Sequence, residues 1–220
     1  MQKLPALPPR VARLPVDSRG FPVPWFVAWF RLGEPSNPGT GVPDFRVVDT
    51  RKLVRAVADN LCWVCGDRLG KHLAFVIGPM CAINRVISEP PSHRDCAIFS
   101  ATACPFLSRP RMRRNERDMP PVTVPAAGMH ISRNPGAVCV WITDRYRPFK
   151  VAGGGVLFQL GEPHETLWFA EGRAATREEV LASINSGYPL LYDMARAEGA
   201  AAITALERQR EHALRLLPEV

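Results

Sequence analysis

The 220-residue chain alternates short apolar runs with polar and proline-rich stretches, and the runs predict its elements. Residues 24–30 are an aromatic-rich apolar run between loops and predict a buried strand. Residues 33–43, dominated by Gly, Pro, Ser and Asn, predict a loop, and 45–48 a second strand. Asp49 is placed to cap a helix running to about Asn60, with Leu53, Val54 and Val57 on one face. Residues 72–77 read as a strand. Gly78 and Pro79 suggest a turn, and 81–87 a returning strand, so the pair is expected to form a hairpin. Ser92 suits an N-cap and Asp95 a first helical turn, so a helix is expected from there until Pro105.

Further on, 137–143, 156–160 and 166–169 predict three strands of an antiparallel meander, with turns at 153–155 and 161–163. Thr176 and Glu179 have the spacing of a capping box. The helix they open is expected to stop at Gly187. Pro189 should then start a longer helical segment to about Leu217, bent at Gly199. Residues 1–22, rich in proline, predict a surface arm. The pattern as a whole is α+β: a knuckle–hairpin–helix module plus a small β-meander with C-terminal helices.

Composition narrows this picture. Hydrophobic residues make up 46% of the chain, enough for a core, while 22 prolines argue for short elements and irregular loops. No stretch approaches the roughly 20 apolar residues of a membrane span. The first residues lack the apolar run of a signal peptide, so a reducing cytoplasm is expected. There, six cysteines favour metal or free thiols over disulfides.

The formal charge of +7 is uneven: residues 1–117 hold 18 Lys/Arg and 9 Asp/Glu, whereas 118–220 hold 10 and 12. A polyanion is therefore a plausible partner for the N-terminal half. Arg109, Arg111, Arg113, Arg114 and Arg117 form the densest basic run, and a guanidinium is shaped to grip phosphate. The same run reads equally as a solvated linker. It sets the expected boundaries: 1–108, with a zinc core at 61–107; a basic, Pro-rich linker at 109–128; and 129–220.

The chemistry concentrates in 61–107. Cys62 and Cys65 form a Cys-x2-Cys pair, and after 27 intervening residues His93 and Cys96 form a His-x2-Cys pair. Two close pairs of soft or borderline ligands suit tetrahedral zinc. Gly66 permits the tight turn of a knuckle, and the second pair would lie at the start of a helix, facing one point. Cys81 and Cys104 are nearby and either can replace His93 as ligand; otherwise they read, with Cys139, as core residues.

At Cys62, Cys65, His93 and Cys96 the stretch resembles the treble-clef zinc module, which implies that the zinc is structural. More loosely, the whole chain resembles uncharacterised small zinc-binding proteins of tailed phages and bacteria. Trp63-Val64-Cys65-Gly66, Gly78-Pro79-Met80-Cys81 and Cys104-Pro105-Phe106-Leu107 carry that resemblance, which implies no catalytic residues.

Other chemistries fit less well. A redox Cys62/Cys65 pair wants a strand before the motif, but a helix is expected there. A catalytic metal needs an open position and a base. Glu89 and Asp95 are the near acids, and His72 would be the water-activating residue of a nuclease, but its companion Asn and second His are missing. His164-Glu165 does not supply the His-x-Glu of a zinc deaminase. Trp25, Trp29 and Phe30 can stack bases but read better as core, and the glycines at 153–155 lack the Gly-Lys-Ser/Thr of a phosphate loop.

The leading expectation is thus a non-enzymatic zinc-binding accessory protein that contacts nucleic acid or a protein partner through its basic half. It has no membrane segment and no small-molecule cofactor. The alternative is a metal-dependent, nuclease-like hydrolase at the zinc site.

Overall fold

A computed structural model describes residues 5–120, 127–128, 133–152 and 155–219. In chain order the elements are β1 (Val27–Arg31), β2 (Glu34–Ser36), β3 (Val42–Val48), α1 (Thr50–Ala58), β4 (Leu73–Ile77), α2 (Pro79–Asn84), β5 (Val86–Ile87), α3 (Arg94–Ala103) and α4 (Pro105–Ser108). They continue with β6 (Val138–Thr143), β7 (Tyr146–Lys150), β8 (Val156–Leu160), β9 (Glu165–Ala170), β10 (Arg173–Ala174), α5 (Arg177–Glu198) and α6 (Ala200–Leu214). Helices and antiparallel sheets share one chain, the α+β class its pattern predicts. No helix among the described residues is long and apolar enough to cross a membrane.

The strands form three sheets, ordered β2-β1-β3, β10-β9-β6-β4 and β5-β8-β7. Strand β6 is the centre of the fold, and all six of its residues are buried. Strands β4 and β9 flank it, both antiparallel to it. Alternation sends Val138, Val140 and Ile142 to one face, where they meet Ala74 of β4 and Ala97 and Ala101 of α3. The small alanines let α3 lie close to the sheet. Cys139 and Trp141 point to the other face and join Leu73, Phe75 and Ile77 in the main core. That core is completed by α2, α5, α6 and the β5-β8-β7 sheet through residues such as Ile83, Phe158, Ile184 and Leu206. Burial on both faces explains why 137–143 reads as a continuous apolar run.

Several expectations are corrected. The hairpin at 72–87 does not form: β4 pairs with β6, β5 pairs with β8, and helix α2 lies between them. Pro79 sits in the first turn of α2, where its fixed φ and missing N–H suit a helix start as well as they suit a turn. The meander does not form either, because β6 and β9 belong to one sheet and β8 to another. Strand β7, not among the expected strands, is the edge partner of β8, a position that tolerates its Pro148. The boundary at 109–128 does not separate two sheets, since β4 and β5 pair with strands from beyond it. Residues 121–126 of that linker, and Gly153 and Gly154 of the expected turn, lie outside the described residues.

Helix α5 does not stop at Gly187. Its apolar stripe, Val180, Ile184, Gly187, Leu191 and Ala195, continues across exposed Pro189 at helical spacing, so packing outweighs the local cost of proline. Gly187 packs closely there: a Cβ would meet Met80 Sδ at 3.0 Å, so Met80 would have to shift to admit a larger residue. The break comes at Gly199 instead. The expected capping box is formed: Thr176 accepts from the Glu179 backbone and Glu179 from the Thr176 backbone.

In α1 the inward face holds Lys52, Leu53, Ala56 and Val57, while Val54 is 69% exposed. Buried Lys52 donates to the Val27 carbonyl at 3.0 Å. The N-terminal arm is fastened rather than loose: Val11 is fully buried in the main core, and Arg10 and Arg13 pair with Asp67.

Candidate metal centre

Helix α1, capped by Asp49, delivers the chain to Leu61, whose bridge to Arg68 closes a small loop. Inside it Gly66 N–H donates to the Cys62 carbonyl at 2.9 Å, and Cys62 N–H to the Asp67 carbonyl at 2.8 Å. Gly66 takes a positive φ of 78°, and a side chain there would run into the Trp25 ring at 2.7 Å. Both constraints demand glycine. The loop is buttressed by Trp25, whose N–H donates to the Val64 carbonyl at 2.7 Å, and by Phe26 stacked on Trp63 at 4.9 Å. Trp25 thus belongs to the packing around this loop, Trp29 is buried with Val23 and Val27 in a small cluster of the first sheet, and Phe30 is half-buried.

The second ligand pair arrives on α3. Ser92 exchanges backbone hydrogen bonds with Ala74, which ties the start of α3 to β4. His93, rather than Ser92, is the N-cap residue, and Cys96 lies in the first turn with Asp95. The ligand atoms of Cys62, Cys65, His93 and Cys96 all lie within 4.8 Å of one another. Sulfur ligands about 2.3 Å from a tetrahedral zinc are separated by roughly 3.8 Å, so the spacing of the cluster is compatible with a four-donor shell. The four side chains could hold a metal ion, and their donor set is compatible with zinc.

The surrounding contacts orient the donors. His93 Nε2–H donates to the Arg68 carbonyl at 3.1 Å, which leaves Nδ1 as the free donor, 3.4 Å from Cys65 Sγ. The Cys65 and His93 backbone N–H groups both point at Cys62 Sγ, at 3.4 Å. These contacts stabilise negative sulfur.

Burial alone would push the Cys62 thiol up, but hydrogen bonds from Cys65, Cys96 and His93 outweigh it and hold the thiol down. Its hydrogen bond to Cys62 pushes Cys65 up to about 12, and contacts with Cys62 and then Cys65 push Cys96 up as well. His93 is raised, chiefly by its hydrogen bond with Cys62. Three thiols so close together cannot all ionise unaided; a cation among them removes the conflict.

The ligand group contains His93 and neither Cys81 nor Cys104. Cys81 packs against the main core, and burial pushes its thiol up to about 11; burial likewise raises Cys104 and fully buried Cys139. All six cysteines are free.

Arg109, Arg111, Arg113, Arg114 and Arg117 are all exposed. The run is anchored to β3: Arg114 donates to the Arg46 carbonyl at 2.8 Å, and Arg46 donates to the carbonyls of Asn115 and Arg117 at 3.2 and 2.8 Å. Among the described residues, Arg111 and Arg113 make no ion pair.

A second group escaped the sequence reading. His72, Asp144 and His164 bring their ligand atoms within 4.8 Å of one another on the surface. No spacing signal could reveal it, because its members lie 72 and 20 residues apart along the chain and meet only through strand pairing.

Compared with protein-family models, curated proteins and solved structures, the chain matches none of them.

Proposed function

We propose that the chain is a non-enzymatic, zinc-stabilised accessory protein that contacts nucleic acid through its basic N-terminal half. The carrying observation is the donor set: Cys62, Cys65, His93 and Cys96 supply four ligands to one point, and no carboxylate is among them. Such a shell leaves zinc no open position for substrate, which marks a structural ion rather than a catalytic one. A knuckle loop followed by the first turn of a helix is also the ligand arrangement of a treble clef. Here the place of its hairpin is taken by β4 and α2. Six free thiols suit a reducing cytoplasm.

The nucleic-acid contact rests on the exposed, anchored arginines. Held against β3, the run from Arg109 to Arg117 presents its guanidinium groups from a fixed backbone. Binding through phosphate releases condensed counterions, so affinity for mixed-sequence duplex DNA should fall with salt by a log–log slope of about −0.9 per contact. Replacing Arg113 and Arg114 together with Ala should reduce that slope by about 2 and weaken all sequences alike. Binding to duplex and single strand at ~0.05 M salt, where nonspecific affinity is greatest, provides the test. No binding there transfers the proposal to a protein partner.

A further inference from the structure

We propose that His72, Asp144 and His164 form a second metal site, open to solvent, that binds a borderline divalent transition ion such as Zn2+ or Co2+. One oxygen of Asp144 faces both imidazoles: Oδ1 lies 3.4 Å from His72 Nδ1 and 3.7 Å from His164 Nδ1. Donors about 2.0–2.1 Å from a tetrahedral ion are separated by about 3.3–3.4 Å, so the observed gaps need only small adjustments. The His72 and His164 rings meet edge to face at 5.0 Å, so they converge on the same space. Two imidazoles and one carboxylate select Zn2+, Co2+ or Ni2+ over Ca2+ and Mg2+, which want oxygen alone.

The group is built by the register of the central sheet. Leu73 is opposite Thr143 in the β4–β6 pairing, which places His72 opposite Asp144 one step beyond the strand ends. Ile142 is opposite Glu165 in the β6–β9 pairing, which places His164 beside Thr143. Three adjacent strands thus each contribute one ligand at the same end of one sheet.

The supports are firm. His164 N–H donates to the Ile142 carbonyl at 2.9 Å, and buried Thr143 donates through Oγ1 to the Glu162 carbonyl at 2.7 Å. Lys71 Nζ lies 3.7 Å from Oδ2, the other oxygen of Asp144, and so leaves Oδ1 to the histidines. Ligands fixed by paired strands lose little freedom when an ion binds.

The site differs in kind from the Cys3His centre. Its three ligands are exposed, so water or an oxyanion can complete the shell. The two are nonetheless neighbours in the framework: Arg94, next to His93, holds Glu165, next to His164, through hydrogen bonds of 3.0 and 2.6 Å.

The test uses the full chain, free of any histidine tag and carrying its tightly held metal at the Cys3His centre. Co2+ is titrated in and followed by calorimetry and visible absorption. One further equivalent should bind, with the ligand-field bands of N/O coordination and no added thiolate-to-metal charge transfer. His72→Ala, Asp144→Asn and His164→Ala should each lower its affinity by more than about 10-fold, the loss seen when even a group that merely orients a ligand is removed. All three positions are exposed, so far-UV circular dichroism and the first equivalent of metal should be unchanged. Absence of a second equivalent in the wild-type chain overturns the proposal. So does a second equivalent that survives any of the three replacements. Either failure leaves the Cys3His reading intact, since that centre is scored separately by elemental analysis of the chain before Co2+ is added.

Discussion

Cys65→Ser, or chelation of the metal proposed for the Cys3His centre, should unfold both halves of the chain together. Structural zinc contributes on the order of 10 kcal/mol in small modules at neutral pH, comparable to the whole ~5–15 kcal/mol stability of a typical domain. A serine hydroxyl cannot replace the thiolate, and the remaining thiols would keep their crowding without a cation to relieve it. The damage should spread. Cys62 and Cys96 belong to the main core, and the backbone pairing of Ser92 with Ala74 connects the centre to β4, which pairs with β6 from the far half of the sequence. Amide hydrogen exchange in β4 and β6 provides the measurement. Protection should fall in both strands together. Full protection in β6 after loss of the metal would show that the two halves are energetically separate. Acid should act in the same direction as chelation, because protons compete with the ion for three thiolates.

What the sequence made legible was local or closely spaced. The capping box at Thr176, the cap at Asp49 and the helix beyond His93 all have signals within a few residues. The four metal ligands could be paired because each pair lies within one turn of chain. Strand partners could not, because apolar alternation says which face is buried but not which strand lies alongside. Residues 72–77 and 137–143 both announce themselves as strands, yet nothing in either says that Phe75 will lie opposite Trp141. Proline and glycine misled where tertiary packing overrode their usual meaning. Pro79 opens a helix rather than a turn, and Gly187 marks a close approach to Met80 rather than a helix end. The His72, Asp144 and His164 group was illegible for the same reason as the strand pairing that creates it.

Strand pairing also decides what a truncation should do. A chain cut after Arg117 retains Cys62, Cys65, His93 and Cys96, together with every element from β1 to α4. It should nevertheless fail to form the native structure. The cut removes β6, and with it fully buried Val138, Val140, Trp141 and Ile142. At about 1.5–3 kcal/mol for each large apolar side chain, these four alone contribute roughly 6–12 kcal/mol, about as much as a domain's net stability. The loss also uncovers Ala74 of β4 with Ala97 and Ala101 of α3 on one side, and Phe75 and Ile77 of β4 on the other, and leaves β4 with an unpaired edge open to aggregation. With metal supplied, the fragment should still bind it through the knuckle loop and the first turn of α3. It should do so more weakly than the full chain and without the cooperative unfolding transition. Amide dispersion in a two-dimensional NMR spectrum of the metal-loaded fragment reads this directly. A well-dispersed spectrum with a single sharp melt would show that residues 1–117 are a domain in their own right, and that the shared sheet is a docking surface rather than the foundation of the fold.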